Sequence, residues 1–83
     1  MPQLDSDLLR TFLATVEAGS VSGGADLIGR SQSAASLQVK QLEGIVGRSL
    51  FRRHGRGVTL TAAGEHLVPV ARRVIAALDA ALA

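Results

Sequence analysis

Gln32, Ser33, Ser36 and Lys40 carry an amide, two hydroxyls and an ammonium within the stretch 30–47, RSQSAASLQVKQLEGIVG. Wound at about 100° per residue, Gln32, Ser36, Lys40, Ser33 and Leu37 share one arc of a helix. Ala34, Ala35, Gln38, Val39, Leu42, Ile45 and Val46 share the opposite arc, and all but Gln38 are apolar. One side can therefore be buried while the other stays in water. Ser31 suits the N-cap, because its hydroxyl can accept a backbone N–H that the first turn leaves unpaired. Gly47 suits the left-handed residue that ends many helices. The only carboxylate in the stretch, Glu43, lies to one side. Short polar groups and a cation on a helix narrow enough for the major groove can hydrogen-bond base edges. The competing reading is an ordinary solvated helix face.

Charge partition favours the first reading. The net charge of +2 hides a strong asymmetry. Residues 1–29 hold Arg10 against Asp5, Asp7, Glu17 and Asp26; residues 30–60 hold Arg30, Lys40, Arg48, Arg52, Arg53 and Arg56 against Glu43 alone; the remainder is balanced. A basic middle in a nearly neutral chain is a local footprint for a polyanion. The 83 residues suffice for one small domain, whose core must be aliphatic, with no Trp, no Tyr and two Phe. There is no Cys to form a disulfide or a thiolate metal site. No apolar run approaches a membrane span, and no signal-peptide pattern opens the chain, so a cytoplasmic location is expected.

The elements that would hold such a face can be read in order. Met1 to Leu4 reads as a loose lead-in. Asp5, Ser6 or Asp7 can cap a helix over residues 6–18, with Leu8, Leu9, Phe12, Leu13 and Val16 as its apolar stripe. A short second helix is expected over Val21 to Ile28, with Ser22 as N-cap and Val21 stapling its start. Gly23 and Gly24 weaken that helix unless they serve a close approach to the first helix or to a backbone. Ala25 and Ile28 face inward. A corner at Gly29-Arg30 and then the longer divided helix complete a helix-turn-helix pattern, whose second helix enters the major groove. Residues 49–60 read as strand, Gly-rich tip HGRG, strand: a β-hairpin wing, with Arg53 and Arg56 at a tip suited to a narrow minor groove.

Thr61 then caps a last helix over residues 62–83. Leu67, Val70, Ala71, Val74, Ile75, Leu78 and Leu82 recur along it at helical spacing. About 20 residues span about 30 Å, more than such a domain needs for cover. A second copy of the chain is the economical partner for that stripe, and a lid on the chain's own core is the alternative. Pro69 should bend the helix. The expected architecture is mainly α: a winged helix-turn-helix of three helices plus a short β-hairpin wing over residues 1–60, followed by a long linker and dimerisation helix over residues 61–83.

The segments LLRTFLATVEAGSVS, SQSAASLQVKQLE, GRSLFRR and LTAAGE follow one another in the order and spacing of the LysR-type transcriptional regulators, whose N-terminal domain this chain resembles from about Leu8 to its end. The resemblance implies a bacterial regulator that binds interrupted palindromes in double-stranded DNA. It implies a homodimer through the last helix, and a tetramer of two dimers in the full-length protein. A small-molecule effector would act through a further domain beyond Ala83. The family pattern puts Ser31, Gln32, Ser33 and Ser36 at the DNA, Lys40 toward phosphates and the wing arginines in the minor groove. This sequence departs from it at Ser33, where Pro is common, at Leu37, where Arg is frequent, at Gly23, where Arg or Ala is usual, and at Arg30, which replaces an apolar residue. The missing Arg at Leu37 removes one contact, and Arg30 offers another cation at the turn.

Together these readings predict Gln32, Ser33 and Ser36 as base readers. Ser22, Arg30, Ser31, Leu37, Lys40, Arg53 and Arg56 are expected at the backbone or groove walls. A helical protein-interaction module without DNA binding is the rival, and the basic band lying away from the last helix's stripe speaks against it. Enzymatic activity is not expected. His54 and His66 are the only histidines, and neither is paired with a nucleophile at a recognisable spacing. No metal or other cofactor is called for, and nucleoid association would follow from DNA binding.

Overall fold

The computed structural model describes residues 4–83 and runs α1 (Ser6–Ala18), α2 (Val21–Leu27), α3 (Gln32–Val46), β1 (Phe51–His54), β2 (Gly57–Leu60) and α4 (Ala62–Leu82). The lead-in expected at Met1 to Leu4 lies, save for Leu4, outside the described residues. Each helix starts on a side chain that accepts one of its own unpaired N–H groups. Asp5 accepts from Asp7, Ser31 from Ala34 and Thr61 from Gly64. For α2 the expected cap is off by two residues. The cap is Ser20, whose Oγ accepts from Gly23 N–H at 3.0 Å, and Ser22 is exposed inside the helix. Ser20 has the extended backbone of a cap (φ −157°, ψ 154°), which frees its hydroxyl to reach forward.

The helices pack around Leu8, Leu9, Phe12, Leu42, Leu50 and Ala71, all buried. Phe12 and Phe51 meet at 5.4 Å between ring centres, tilted by 47°, which ties the hairpin to α1. A second cluster of Val21, Ala25 and Ala35, with Val58 against it, joins α2, α3 and β2. Glycine is needed between α1 and α2: a Cβ on Gly24 would lie 2.8 Å from the Thr15 backbone. The weak helix former is thus what lets the two helices touch.

β1 and β2 form an antiparallel hairpin in which Phe51 faces Leu60, Arg52 faces Thr59, Arg53 faces Val58 and His54 faces Gly57. Alternation puts Phe51, Leu60, Arg53 and Val58 on the side toward the helices and Arg52 and Thr59 on the other. The hairpin is also pinned at its far strand, where Val58 N–H donates to the Gly19 carbonyl at 2.9 Å. A Cβ on Gly57 would sit 2.8 Å from that same oxygen.

α4 runs through Pro69 as one helix. Pro69 cannot donate to the Glu65 carbonyl, and both residues are exposed, so water can serve that oxygen. Ala71 corrects the expected dimerisation stripe: it is fully buried in the chain's own core. Leu67 and Ile75 pack partly against that core as well. Val70, Val74, Leu78 and Leu82 remain exposed. The alternative of a lid therefore holds for part of the helix, and residues 61–83 share a core with residues 1–60. Arg10 on α1 donates to Asp79 at 2.7 Å, a second tie to α4 that holds the guanidinium still more firmly in its charged form.

The Gly24–Thr15 approach yields a stability prediction. Gly24→Ala should destabilise the domain by about 1–3 kcal/mol. Thermal unfolding followed by circular dichroism should show a fall in Tm of about 4–8 °C for each kcal/mol.

Candidate nucleic-acid interface

The position of α3 is set from its buried side. Ala35, Val39 and Leu42 are buried among α1, α2 and the hairpin. Gln38, the lone polar residue of that arc, is paired: Thr11, itself fully buried on α1, donates its hydroxyl to Gln38 Oε1 at 2.6 Å. Thr15 closes the chain of bonds by donating to the Thr11 carbonyl at 2.8 Å. Val46, expected on the buried side, is exposed because it is the last residue of the helix, beyond the packed turns.

The opposite side is free. Gln32, Ser33, Ser36, Leu37 and Lys40 line one open surface concavity of about 610 Å³. These are the five residues that helical winding had placed together. Gln32, Ser33, Leu37 and Lys40 are exposed and Ser36 is half-buried. Glu43 does not line this concavity; its carboxylate accepts the Leu50 N–H at 2.7 Å. At the helix start Ser31 both caps the Ala34 N–H and lies 3.4 Å from the Ser33 hydroxyl.

The wing reaches this face by one arginine. Arg53 Nη2 donates to Ser36 Oγ at 3.4 Å, across a second groove lined by Val39, Lys40, Glu43, Phe51 and Val58 among others. Arg53 is therefore directed at α3 and away from the tip, whereas Arg56 is exposed at the turn beside Gly55. The two wing arginines, expected together at the tip, are separated: Arg53 lies within β1 and Arg56 in the turn itself.

The remaining basic residues of the middle segment disperse. Arg30 is drawn to α1, 3.5 Å from the Asp7 carboxylate. Arg48 follows α3 and lines a concavity with Val46, Ala63, His66, Leu67 and Val70, on the α4 side. Arg52 lies on the outer face of the hairpin. Lys40, Arg53 and Arg56 thus remain around the α3–wing face. Among the described residues, no three His, Cys, Asp or Glu side chains are grouped so as to hold a metal, and no helix is long and apolar enough to cross a membrane.

Residues 6–65 match the family model of bacterial regulatory helix-turn-helix proteins of the lysR family. The chain belongs to the LysR family. Among curated relatives it is 48% identical over 80 residues to the HTH-type transcriptional regulator DgdR of Burkholderia cepacia, covering 96% of this chain and 27% of that protein. It is 41% identical over 80 residues to the regulator PecT of Dickeya dadantii, covering 96% and 25%. It spans about a quarter of the length of these relatives. Among solved structures, the CbnR_DBD–DNA complex superposes with a TM-score of 0.90 at 32% identity, covering 94% of this chain and 90% of that one. The BenM_DBD complex with benA site 1 DNA gives 0.88 at 29% identity, covering 95% and 92%. Both are LysR-type DNA-binding domains, and the four helices with a two-stranded wing are their fold. This LysR-type domain is accordingly a helix-turn-helix DNA-binding unit of a family of transcriptional regulators, not of enzymes.

Three features of the site were not foreseen from sequence. The Thr11–Gln38 bond had a signal in the single amide on an apolar arc. The Arg53–Ser36 and Arg30–Asp7 pairs had none, being set by strand alternation and by how α1 lies on α3. The exposed position of Arg56, without a protein partner among the described residues, gives a direct expectation. Arg56→Ala should weaken binding to all duplexes by a similar factor and reduce the log–log salt slope by about 0.9, measured by fluorescence anisotropy across a salt series.

Proposed function

We propose that this domain binds an interrupted palindrome in double-stranded DNA in a sequence-specific manner, as a homodimer, with the Gln32–Lys40 face of α3 in the major groove. The observation that supports this most is the segregation of α3. Its apolar arc and Gln38 are held by α1, α2 and the hairpin, and the five residues of its polar arc line one open surface. Gln32, in the first turn and exposed, is assigned the base-reading role, since its amide can pair bidentately with adenine. Ser33 and Ser36 contribute single hydrogen bonds to base edge or phosphate. Leu37, 58% exposed, offers an apolar contact where a thymine methyl would fit. Ser22, Arg30, Ser31, Lys40, Arg53 and Arg56 set register and affinity on the backbone and groove walls. Arg30, Lys40, Arg53 and Arg56 as phosphate ligands would give a salt slope of about −3 to −4 per subunit.

Dimerisation is assigned to the exposed part of the α4 stripe. Val70, Val74 and Leu78 each remain about 40% exposed, and Leu82 83%. These side chains recur every four residues and form one apolar edge beside Ala71, which the domain's core already occupies. Half-site centres would then lie about 34 Å apart or a multiple of that. In the whole protein, assembly to a tetramer and response to an effector are the corresponding proposals, with the nucleoid as the place of action.

Selection of bound sequences from a random duplex pool tests the reading. It should return a two-fold half-site at helical spacing; enrichment of no sequence over random duplex would defeat it. On the selected site Gln32→Ala should cost about 1–3 kcal/mol and leave random-duplex affinity nearly unchanged. Val74→Asp should convert the protein to a monomer by light scattering, with its circular dichroism spectrum retained.

A further inference from the structure

The turn between α2 and α3 carries a cation that the fold turns away from the reading face. Arg30 stands one residue before the α3 cap Ser31 and two before Gln32. Its backbone is fixed there by an N–H···O bond to the Ala25 carbonyl at 2.9 Å. Its guanidinium lies 3.5 Å from Asp7, in the first turn of α1. Both side chains are well exposed, 39% for Arg30 and 55% for Asp7, so the pair is open to competition by another anion. The start of α3 carries the partial positive charge of its unpaired N–H groups. Arg30 beside it therefore makes that end of the helix a place where an anion is favoured. Asp7 is the nearest anion the chain supplies; a DNA phosphate beside the inserted end of α3 would be a stronger one.

We propose that Asp7 is an affinity-setting residue: it holds Arg30 in an intramolecular pair that a DNA phosphate must displace. This rests on the reading that α3 enters the major groove by its N-terminal end. On binding, Arg30 exchanges the Asp7 carboxylate for a phosphate oxygen flanking the recognised bases. The exchange is sequence-independent, so it lowers affinity for every duplex in equal proportion and leaves base preference alone. It also makes Asp7, a residue of α1 that faces no base, a determinant of how much salt the complex withstands.

The test is a double-mutant cycle with Asp7→Asn, Arg30→Ala and both, together with Glu17→Gln as a control that removes one α1 charge elsewhere. Binding to the selected duplex and to a random duplex is measured over a salt series, and folding is checked by thermal melts. An exposed ion pair of ordinary strength predicts about a two- to fivefold gain for Asp7→Asn on both duplexes. Arg30→Ala should weaken binding and reduce the salt slope by about 0.9. In the Arg30→Ala background, Asp7→Asn should give no gain beyond that of Glu17→Gln. If Asp7→Asn gives no gain while wild type binds, or its gain matches Glu17→Gln, or persists without Arg30, the proposal is overturned. Failure of wild type to bind the selected duplex would instead overturn the groove-reading assignment.

Discussion

The rotation of α3 about its own axis is the constraint on which the rest of the structure depends. Ala35, Val39 and Leu42 give that rotation its energy, and the Thr11–Gln38 bond gives it its precision. Apolar attraction alone sets that roll only loosely, because it has no direction. A hydrogen bond sets it more tightly, since it weakens steeply as it leaves its axis. Leaving the fully buried Thr11 hydroxyl unpaired would cost about 1–3 kcal/mol. With Gln38 fixed against α1, Gln32, Ser36 and Lys40 are fixed on the other side by helix geometry. The face offered to a ligand is thus defined from behind, by a threonine on another helix.

The wing is held by a different kind of contact. Its near strand is packed by Phe51 on Phe12, and its far strand is hydrogen-bonded through Val58 to the Gly19 carbonyl. Gly19, in the left-handed conformation that ends α1, presents that carbonyl to the hairpin. One residue therefore closes a helix and anchors a strand. The anchored base of the hairpin supports Arg53 against Ser36, while the tip with Arg56 stays in solvent.

Local signals were read well from sequence because they are local. The ends of α1, α3 and α4, the hairpin and the split of α3 into two faces follow from caps, glycines and periodicity within a few residues. Ser22 is not the cap of α2, because it lies inside the helix, whereas Ser20 has the extended backbone that lets its hydroxyl reach the Gly23 N–H. Charge was read less well. The basic run of residues 30–60 is contiguous in the chain but not in space: Arg30 turns to Asp7, Arg48 to the α4 side and Arg52 to the outer face. Sequence counts charge along the chain, whereas folding distributes it by strand alternation and by neighbours dozens of residues away. Ala71 was misjudged for a related reason. A helical stripe shows that something must cover it, not which part the same chain covers.

That burial of Ala71 bears on how a joined pair of these domains could adjust to operators of different geometry. The first half of α4 is seated in the core through Ala71, with Leu67, Val68 and Ile75 around it, and Arg10 grips Asp79 further along. The helix cannot swivel against its own head without opening the interior. A pair joined along α4 would therefore behave as two stiff brackets, and any change in the span between their recognition helices would have to come from slippage or rolling at the seam between the brackets.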